Sequence, residues 1–203
     1  MTKEGLLVVI SAPSGTGKGT LLRLLEESSQ RVRLSVSATT RRPRGNEVDG
    51  KSYFFKTVEE FKEMVSGDKL IEWVKYCDNY YGTPREHVEN LIKEGYHVVL
   101  EVEVEGAMNI RKKYPRSVLI FVLPPSFNEL EKRIRSRGTE GDDAIRKRLE
   151  TAKREIDYIS RYDYVIINHD VDKAVGDINC VLKAEGLKYS RNKDILTGIG
   201  GSF

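Results

Sequence analysis

Ten residues constrain this chain more than any others. Ser11-Ala12-Pro13-Ser14-Gly15-Thr16-Gly17-Lys18-Gly19-Thr20 stand between the apolar run 6–10 and leucines at 21, 22, 24 and 25. A buried strand feeding a glycine-rich turn, a lysine and then an amphipathic run is the phosphate-loop arrangement. Gly15 and Gly17 let successive backbone N–H groups turn inward around phosphate oxygens, and the helix that follows adds the positive end of its dipole. Lys18 then reaches the outer phosphates as a mobile point charge. The stretch departs from G-x-x-x-x-G-K-[ST] at two places. Ala12 replaces the first glycine, and Gly19 stands where a hydroxyl usually meets Mg²⁺, with Thr20 one position late. The plain alternative is an ordinary glycine-rich turn, and the flanking strand and helix weigh against it. Residues Ala12, Pro13, Ser14, Gly15, Thr16, Gly17, Lys18, Gly19 and Thr20 are therefore the candidate triphosphate cradle.

Apolar runs and helical periods alternate along the rest of the chain. Strands are expected at 6–11, 32–37, 97–104, 118–123 and 164–168, and helices at 18–28, 84–94, 106–113, 127–137, 142–160 and 172–187. Thr83 with Glu86, and Ser126 with Glu129, read as capping boxes, and Gly95 ends the first of these two helices. Such alternation with continuously apolar strands predicts an α/β fold, a phosphate-loop three-layer sandwich around a parallel central sheet. At 203 residues one core with small inserted lobes suffices. That core is expected to comprise 1–37, 96–125 and 156–203. A small mixed or antiparallel lobe is expected at 38–95, where short alternating runs (52–56, 70–76) flank a helix opened by Thr57 and Glu60. A helical lid is expected at 126–155. Between 129 and 155, 16 of 27 residues are charged. That density predicts a solvated flap with no core of its own.

Composition excludes several classes. A net charge of +3 is too small to argue for a nucleic-acid or membrane partner, and neither is expected, although local arginine clusters can still hold phosphates. No apolar run approaches the ~18 residues that span a bilayer, and the N-terminus lacks a secretion signal. Cys77 and Cys180 are the only cysteines and sit in no metal-ligand spacing, so a zinc site or disulfide framework is not expected. His87, His97 and His169 are scattered. The chain reads as cytosolic.

Three clusters carry chemistry. The lobe opens with Arg41 and Arg44 around a stiffening Pro43, followed by Tyr53, Glu72 and Tyr81. Arginine suits bidentate phosphate recognition, and two arginines, two tyrosine hydroxyls and a carboxylate would make a pocket for a nucleoside monophosphate. Taken singly, each is a solvated loop or strand-packing residue; their density beside a phosphate loop favours the pocket. Next, Glu101 and Glu103 share one face of an extended strand, at the carboxyl end where open α/β sheets bind ligands. There they could hold Mg²⁺ through water or accept base N–H donors; a solvent-facing edge strand is the alternative. Lastly, Arg133 and Arg137 share a helical face, and Arg148 lies on the next helix. Arginines on a flap can close over a transferring phosphoryl group.

Together these residues resemble guanylate kinase, the family that phosphorylates GMP. The resemblance runs from about residue 7 to 187. It rests on Ser11–Lys18, Ser35-Val36-Ser37 through Thr39-Thr40-Arg41 and Arg44, and Glu47-Val48-Asp49-Gly50 to Tyr53. Further along it rests on Asn79–Thr83, Arg133 with Arg137-Gly138-Thr139, Lys147-Arg148-Leu149, and Val165–Asn168. It implies that Ser37 and Glu72 read guanine, with Thr83 and Glu103 completing that pocket. Arg41, Arg44, Tyr53 and Tyr81 would hold the GMP phosphate. Lys18, Arg133, Arg137 and Arg148 would act on the transferring phosphoryl group, with Asn168 near the adenine of ATP and Mg²⁺ arriving with ATP. Glu101 and Glu103 stand where many members carry aspartates, Glu105 where Gln is common, and Gly19 removes the usual hydroxyl. Two other readings stay open: a scaffolding domain of this fold that binds partner proteins, and a kinase for another phosphorylated acceptor such as a ribose bisphosphate. The intact Gly17-Lys18 and the flap arginines argue against the first, and Ser37 with Glu72 against the second.

Overall fold

The computed structural model describes residues 4–76, 78–136 and 141–193. In chain order it contains β1 (Leu7–Ser11), α1 (Lys18–Ser28), β2 (Val32–Leu34), β3 (Ala38–Thr39), β4 (Phe54–Phe55), α2 (Val58–Ser66), β5 (Leu70–Tyr76) and β6 (Asn79–Pro84). There follow α3 (Arg85–Lys93), β7 (His97–Glu101), α4 (Val104–Lys113), β8 (Val118–Leu123), α5 (Phe127–Arg135), α6 (Asp142–Ile156), β9 (Tyr164–Ile167) and α7 (Val171–Leu187).

Five strands form a parallel sheet in the order β2-β7-β1-β8-β9. Strand alternation divides its apolar side chains between two cores. Val8 and Ile10 face α1 and α7, packing with Leu21, Leu22, Leu25, Ile178 and Leu182. Leu7 and Val9 face α3 and α4, packing with Val88, Ala107 and Ile110. This is the expected three-layer sandwich. β1 lies at the centre, flanked by β7 and β8, so the order reverses beside the loop that leaves its carboxyl end. A second, mixed sheet runs β4-β3-β6-β5, with β3 parallel to β4 and antiparallel to β6.

Four local expectations are corrected. The strand expected to 37 ends at Leu34, and the small sheet takes over at Ala38. The strand expected to 104 ends at Glu101; Glu103 is the N-cap of α4, which begins two residues before Gly106. Thr83 does not cap α3, since Pro84 is the capping position, and its hydroxyl serves Glu72 instead. The highly charged stretch does form a core: Leu130, Ile134, Ile145 and Ala152 bury one another between α5 and α6. Helical spacing concentrates the few apolar residues on facing stripes, so their number matters less than their period. Thr57 and Glu60 form the full capping box. Ser126 accepts from the Glu129 amide, while the Glu129 carboxylate turns to Arg133. Arg137 lies outside the described residues, as do Cys77 and the glycine-rich tail.

The C-terminal helix is fastened by one buried carboxylate. Glu185 accepts hydrogen bonds from the Tyr164 hydroxyl at 2.6 Å and Arg191 Nη2 at 3.1 Å, and pairs with Lys188 Nζ at 2.5 Å. Burial alone would raise its pKa, but these donors outweigh burial and hold it below the ordinary value. A carboxyl depressed in this way stabilises the fold above its unfolded pKa, and the contribution is lost as pH falls through the folded one. Glu185→Ala takes the carboxylate from Arg191, which keeps the Arg116 carbonyl, and should lower the unfolding free energy by about 3 kcal/mol. The loss should shrink in acid, where the wild type also loses the charge. Urea unfolding at neutral and acidic pH reads both; an equal loss at the two would contradict the assignment.

Candidate active site

The loop after β1 is built around its own carbonyls. The Thr16 hydroxyl and amide both donate to the Pro13 carbonyl, at 2.6 and 3.2 Å, closing a tight turn. Gly15 has φ of 94° and Gly17 of 88°. At Gly15 a Cβ would also come within 2.8 Å of Ile134, so the loop fits under α5 only with glycine there. The Thr16 carbonyl accepts from Asn168 Nδ2 at 2.9 Å and from Arg133 Nη1 at 3.3 Å. Two distant elements, the end of β9 and α5, thus fix the peptide between Thr16 and Gly17, the N-cap of α1. Lys18 opens that helix, and its ammonium lies 3.3 Å from the half-exposed Glu101 carboxylate. Arg148, from α6, donates to the Ser14 hydroxyl at 2.5 Å. Gly19 faces open space, so a larger residue is sterically allowed there.

Beside the loop lies a cleft of about 640 Å³ between the carboxyl end of the main sheet and the small sheet. Lys18, Glu101 and Glu103 line one side; Ser37, Tyr53, Glu72 and Tyr81 line the other. Glu72 sits on β5 with its side chain toward the cleft, while the neighbouring Trp73 is exposed. The buried Thr83 hydroxyl donates to Glu72 Oε1 at 2.8 Å. The other oxygen, Oε2, faces the first turn of α4 at Gly106. Burial pushes the Glu72 carboxyl above its ordinary value, partly offset by the Thr83 bond. Glu103 makes no side-chain cap bond to α4, which leaves its carboxylate to the cleft.

Arg41 follows a segment pinned to β6 by two threonines. The Thr39 hydroxyl donates to the Tyr80 carbonyl at 3.0 Å, and the Thr40 hydroxyl accepts from the Tyr80 amide at 2.9 Å. The Arg41 guanidinium lies 5.3 Å from the centre of the Tyr53 ring. Tyr53 in turn meets Tyr81 edge-on, with ring centres 6.3 Å apart. Arg44 is exposed, at the edge of this group.

Residues from α1, β5, β6 and β7 therefore line one cleft, while α5 and α6 reach the phosphate loop beside it; Arg41 and Arg44 do not line the cleft themselves. Known proteins carry the same pattern: the guanylate kinase family model matches residues 4–185. The chain belongs to the guanylate kinase family. It is 52% identical over 193 residues to the guanylate kinase of Caldanaerobacter subterraneus subsp. tengcongensis, covering 95% of this chain and 94% of the relative. Identity to the guanylate kinase of Desulfitobacterium hafniense is 47% over 196 residues, covering 97% and 98%. The crystal structure of guanylate kinase from Anaplasma phagocytophilum superimposes with a TM-score of 0.71 at 34% identity, covering 94% of this chain and 90% of that one.

Two residues to which the sequence reading gave no role lie against residues described above. Glu47 holds Arg41, as described below. Glu155 lies where burial and the like charge of Glu103 raise its pKa, opposed by Lys18. Its signal was available, because Arg148, Ala152 and Glu155 fall on one helical stripe.

Proposed function

We propose that this chain transfers the γ-phosphoryl group of ATP to GMP, and to dGMP, in line across the cleft. One observation carries the reading: the phosphate-loop lysine and a carboxylate held by a buried threonine face the same cavity. Guanine presents adjacent N1–H and N2–H₂ donors, which suit the acceptor-only Glu72, and an O6 that the Ser37 hydroxyl can serve. Thr83 orients Glu72, and Glu103 closes the pocket. Arg41, Arg44, Tyr53 and Tyr81 take the acceptor phosphate, on a lobe comprising 38–95. Residues 12–20 cradle the triphosphate. Asn168 supports that cradle from behind and flanks the base of ATP. Lys18, Arg133, Arg137 and Arg148 neutralise charge on the transferring group, the last three from a lid at 126–155.

Among the described residues no cluster of three or more His, Cys, Asp or Glu side chains could cage a metal ion. Glu101 and Glu103, both at the cleft, fit a divalent cation that arrives on the triphosphate and is held through water, and Mg²⁺ is the cation we propose. Bound, it would neutralise phosphate charge. The role of Thr20 as a ligand is left to its hydroxyl, one position beyond the usual one. Among the described residues no helix is long and apolar enough to cross a membrane. The substrates are small molecules.

A coupled ADP-release assay with ATP against GMP, dGMP, AMP, CMP and UMP tests the reading, and turnover with GMP and dGMP alone is expected. A preference for another acceptor would overturn it. Arg148 offers a second check, because it already touches the phosphate loop. Its truncation should lower kcat by about 10²-fold with little change in the KM for GMP, as charge reaches the bridging oxygens mainly in the transition state. A raised KM with unchanged kcat would assign Arg148 to binding instead.

A further inference from the structure

Glu47 makes two sets of bonds at once. Its carboxylate accepts end-on from Arg41, Nη2 to Oε1 at 2.8 Å and Nη1 to Oε2 at 2.9 Å. The same Oε2 accepts the Arg44 backbone amide at 2.8 Å, and the Glu47 amide donates to the Arg44 carbonyl at 3.0 Å. The second Nη1 hydrogen of Arg41 goes to the Arg42 carbonyl at 2.8 Å. Of the five guanidinium N–H groups, these bonds fix three. The Nε–H and the remaining Nη2–H form the side edge, which is the other bidentate face of a guanidinium. Tyr81, which lines the cleft, also hydrogen-bonds the Arg41 guanidinium and helps Glu47 keep the Arg41 pKa above its ordinary value.

We propose that Glu47 is a positioning residue, which holds Arg41 so that its Nε and Nη2 edge is left for the acceptor phosphate, and sets the turn that carries Arg44. This inference rests on the reading of the lobe as the GMP site. Glu47 itself does not touch the acceptor. The arrangement uses one carboxylate for two purposes: it removes rotamer freedom from a long side chain before the ligand arrives, and it holds Arg44 at a fixed separation along the backbone. Arg41 meets the oxygens of the acceptor phosphate that do not attack, and these change little between ground and transition states, so the benefit appears in binding and not in the chemical step.

Glu47→Gln keeps the shape but offers Arg41 one acceptor and one repelling NH₂. GMP affinity, measured calorimetrically on the full chain, should fall about tenfold or more, the scale of one lost charge-assisted bond. Guanosine, which has the base and no phosphate, should bind the variant as it binds the wild type. The KM for GMP should rise accordingly, with kcat and the KM for ATP unchanged. Combining Glu47→Gln with Arg41→Ala should cost no more GMP affinity than Arg41→Ala alone, because one acts through the other. A merely structural Glu47 would lower guanosine and GMP binding together, and that result would overturn the proposal. Tighter GMP binding by the variant would also overturn it, since Glu47 would then be a competitor of the phosphate. A wild-type chain binding GMP no better than guanosine would remove the lobe reading itself, and the inference with it.

Discussion

Lys18→Ala is expected to lower kcat by about 10³-fold or more, the scale of groups that neutralise charge on a transferring phosphoryl group. GMP affinity should stay near the wild-type value, because the proposed function puts Lys18 on the triphosphate side of the cleft. The structure makes the test clean. The ion pair with Glu101 is partly solvated, with side-chain exposures of 18% and 53%, so its removal costs little stability. The turn itself is closed by Thr16 on Pro13 and fixed by Asn168, none of which needs the lysine. Turnover by the ADP-release assay and GMP affinity by calorimetry separate the two quantities. Wild-type turnover in the variant would remove the phosphate loop from the mechanism.

Glu72→Gln should be the most damaging conservative change on the acceptor side. Glutamine can turn an NH₂ toward a guanine donor, losing one charge-assisted bond and weakening the other. Such bonds are worth ~1.5–3 kcal/mol each, so kcat/KM for GMP should fall by roughly 2–4 kcal/mol in transition-state terms. A surface glutamate would show less than about 0.5 kcal/mol. AMP should remain a poor substrate, since its N1 is an acceptor and its amine sits where O6 would meet Ser37. Burial adds a pH signature. The Glu72 pKa is raised from 4.5, and only the carboxylate form reads guanine, so kcat/KM for GMP should fall on acidification through an apparent pKa above that value. The sign for stability is opposite to that for Glu185. With the folded pKa raised, ionised Glu72 weakens the empty fold, and the cost grows as pH rises from the unfolded pKa through the folded one. Guanine donors offset it. If the glutamine variant turned over GMP as well as wild type, Glu72 would not be the base reader.

The layers of the fold and the phosphate loop were legible in the sequence because both rest on local patterns. The run 118–123 is continuously apolar and is a central strand over those same residues. Lys18–Ser28 is a helix with the leucines buried as their spacing demands. What the sequence hid was pairing at a distance. Thr83 followed by Pro84 and Glu86 has the local form of a helix cap, yet a neighbouring strand puts Glu72 within reach of its hydroxyl, and a buried carboxylate outbids the cap. Glu103 reads as a strand residue by alternation, but the chain turns into α4 at Val104. Both carboxylates still reach the cleft, by a different geometry from the one periodicity implies. Asn168 was legible as a candidate, whereas its grip on Thr16 requires two residues 152 apart in the chain to meet.

The apolar seam between α5 and α6 has a mechanical consequence. Its members, Leu130, Ile134, Ile145 and Ala152, satisfy one another, so the two helices can travel together without exposing that seam to water. Contacts that tie the pair to the loop include Ile134 and Leu130 against Gly15, Arg133 on the Thr16 carbonyl, and Arg148 on Ser14. All of these grip the same few loop residues. A change in the shape of the loop would therefore be expected to reach Arg133 and Arg148 as a displacement of the packed pair, more than as independent side-chain rotations.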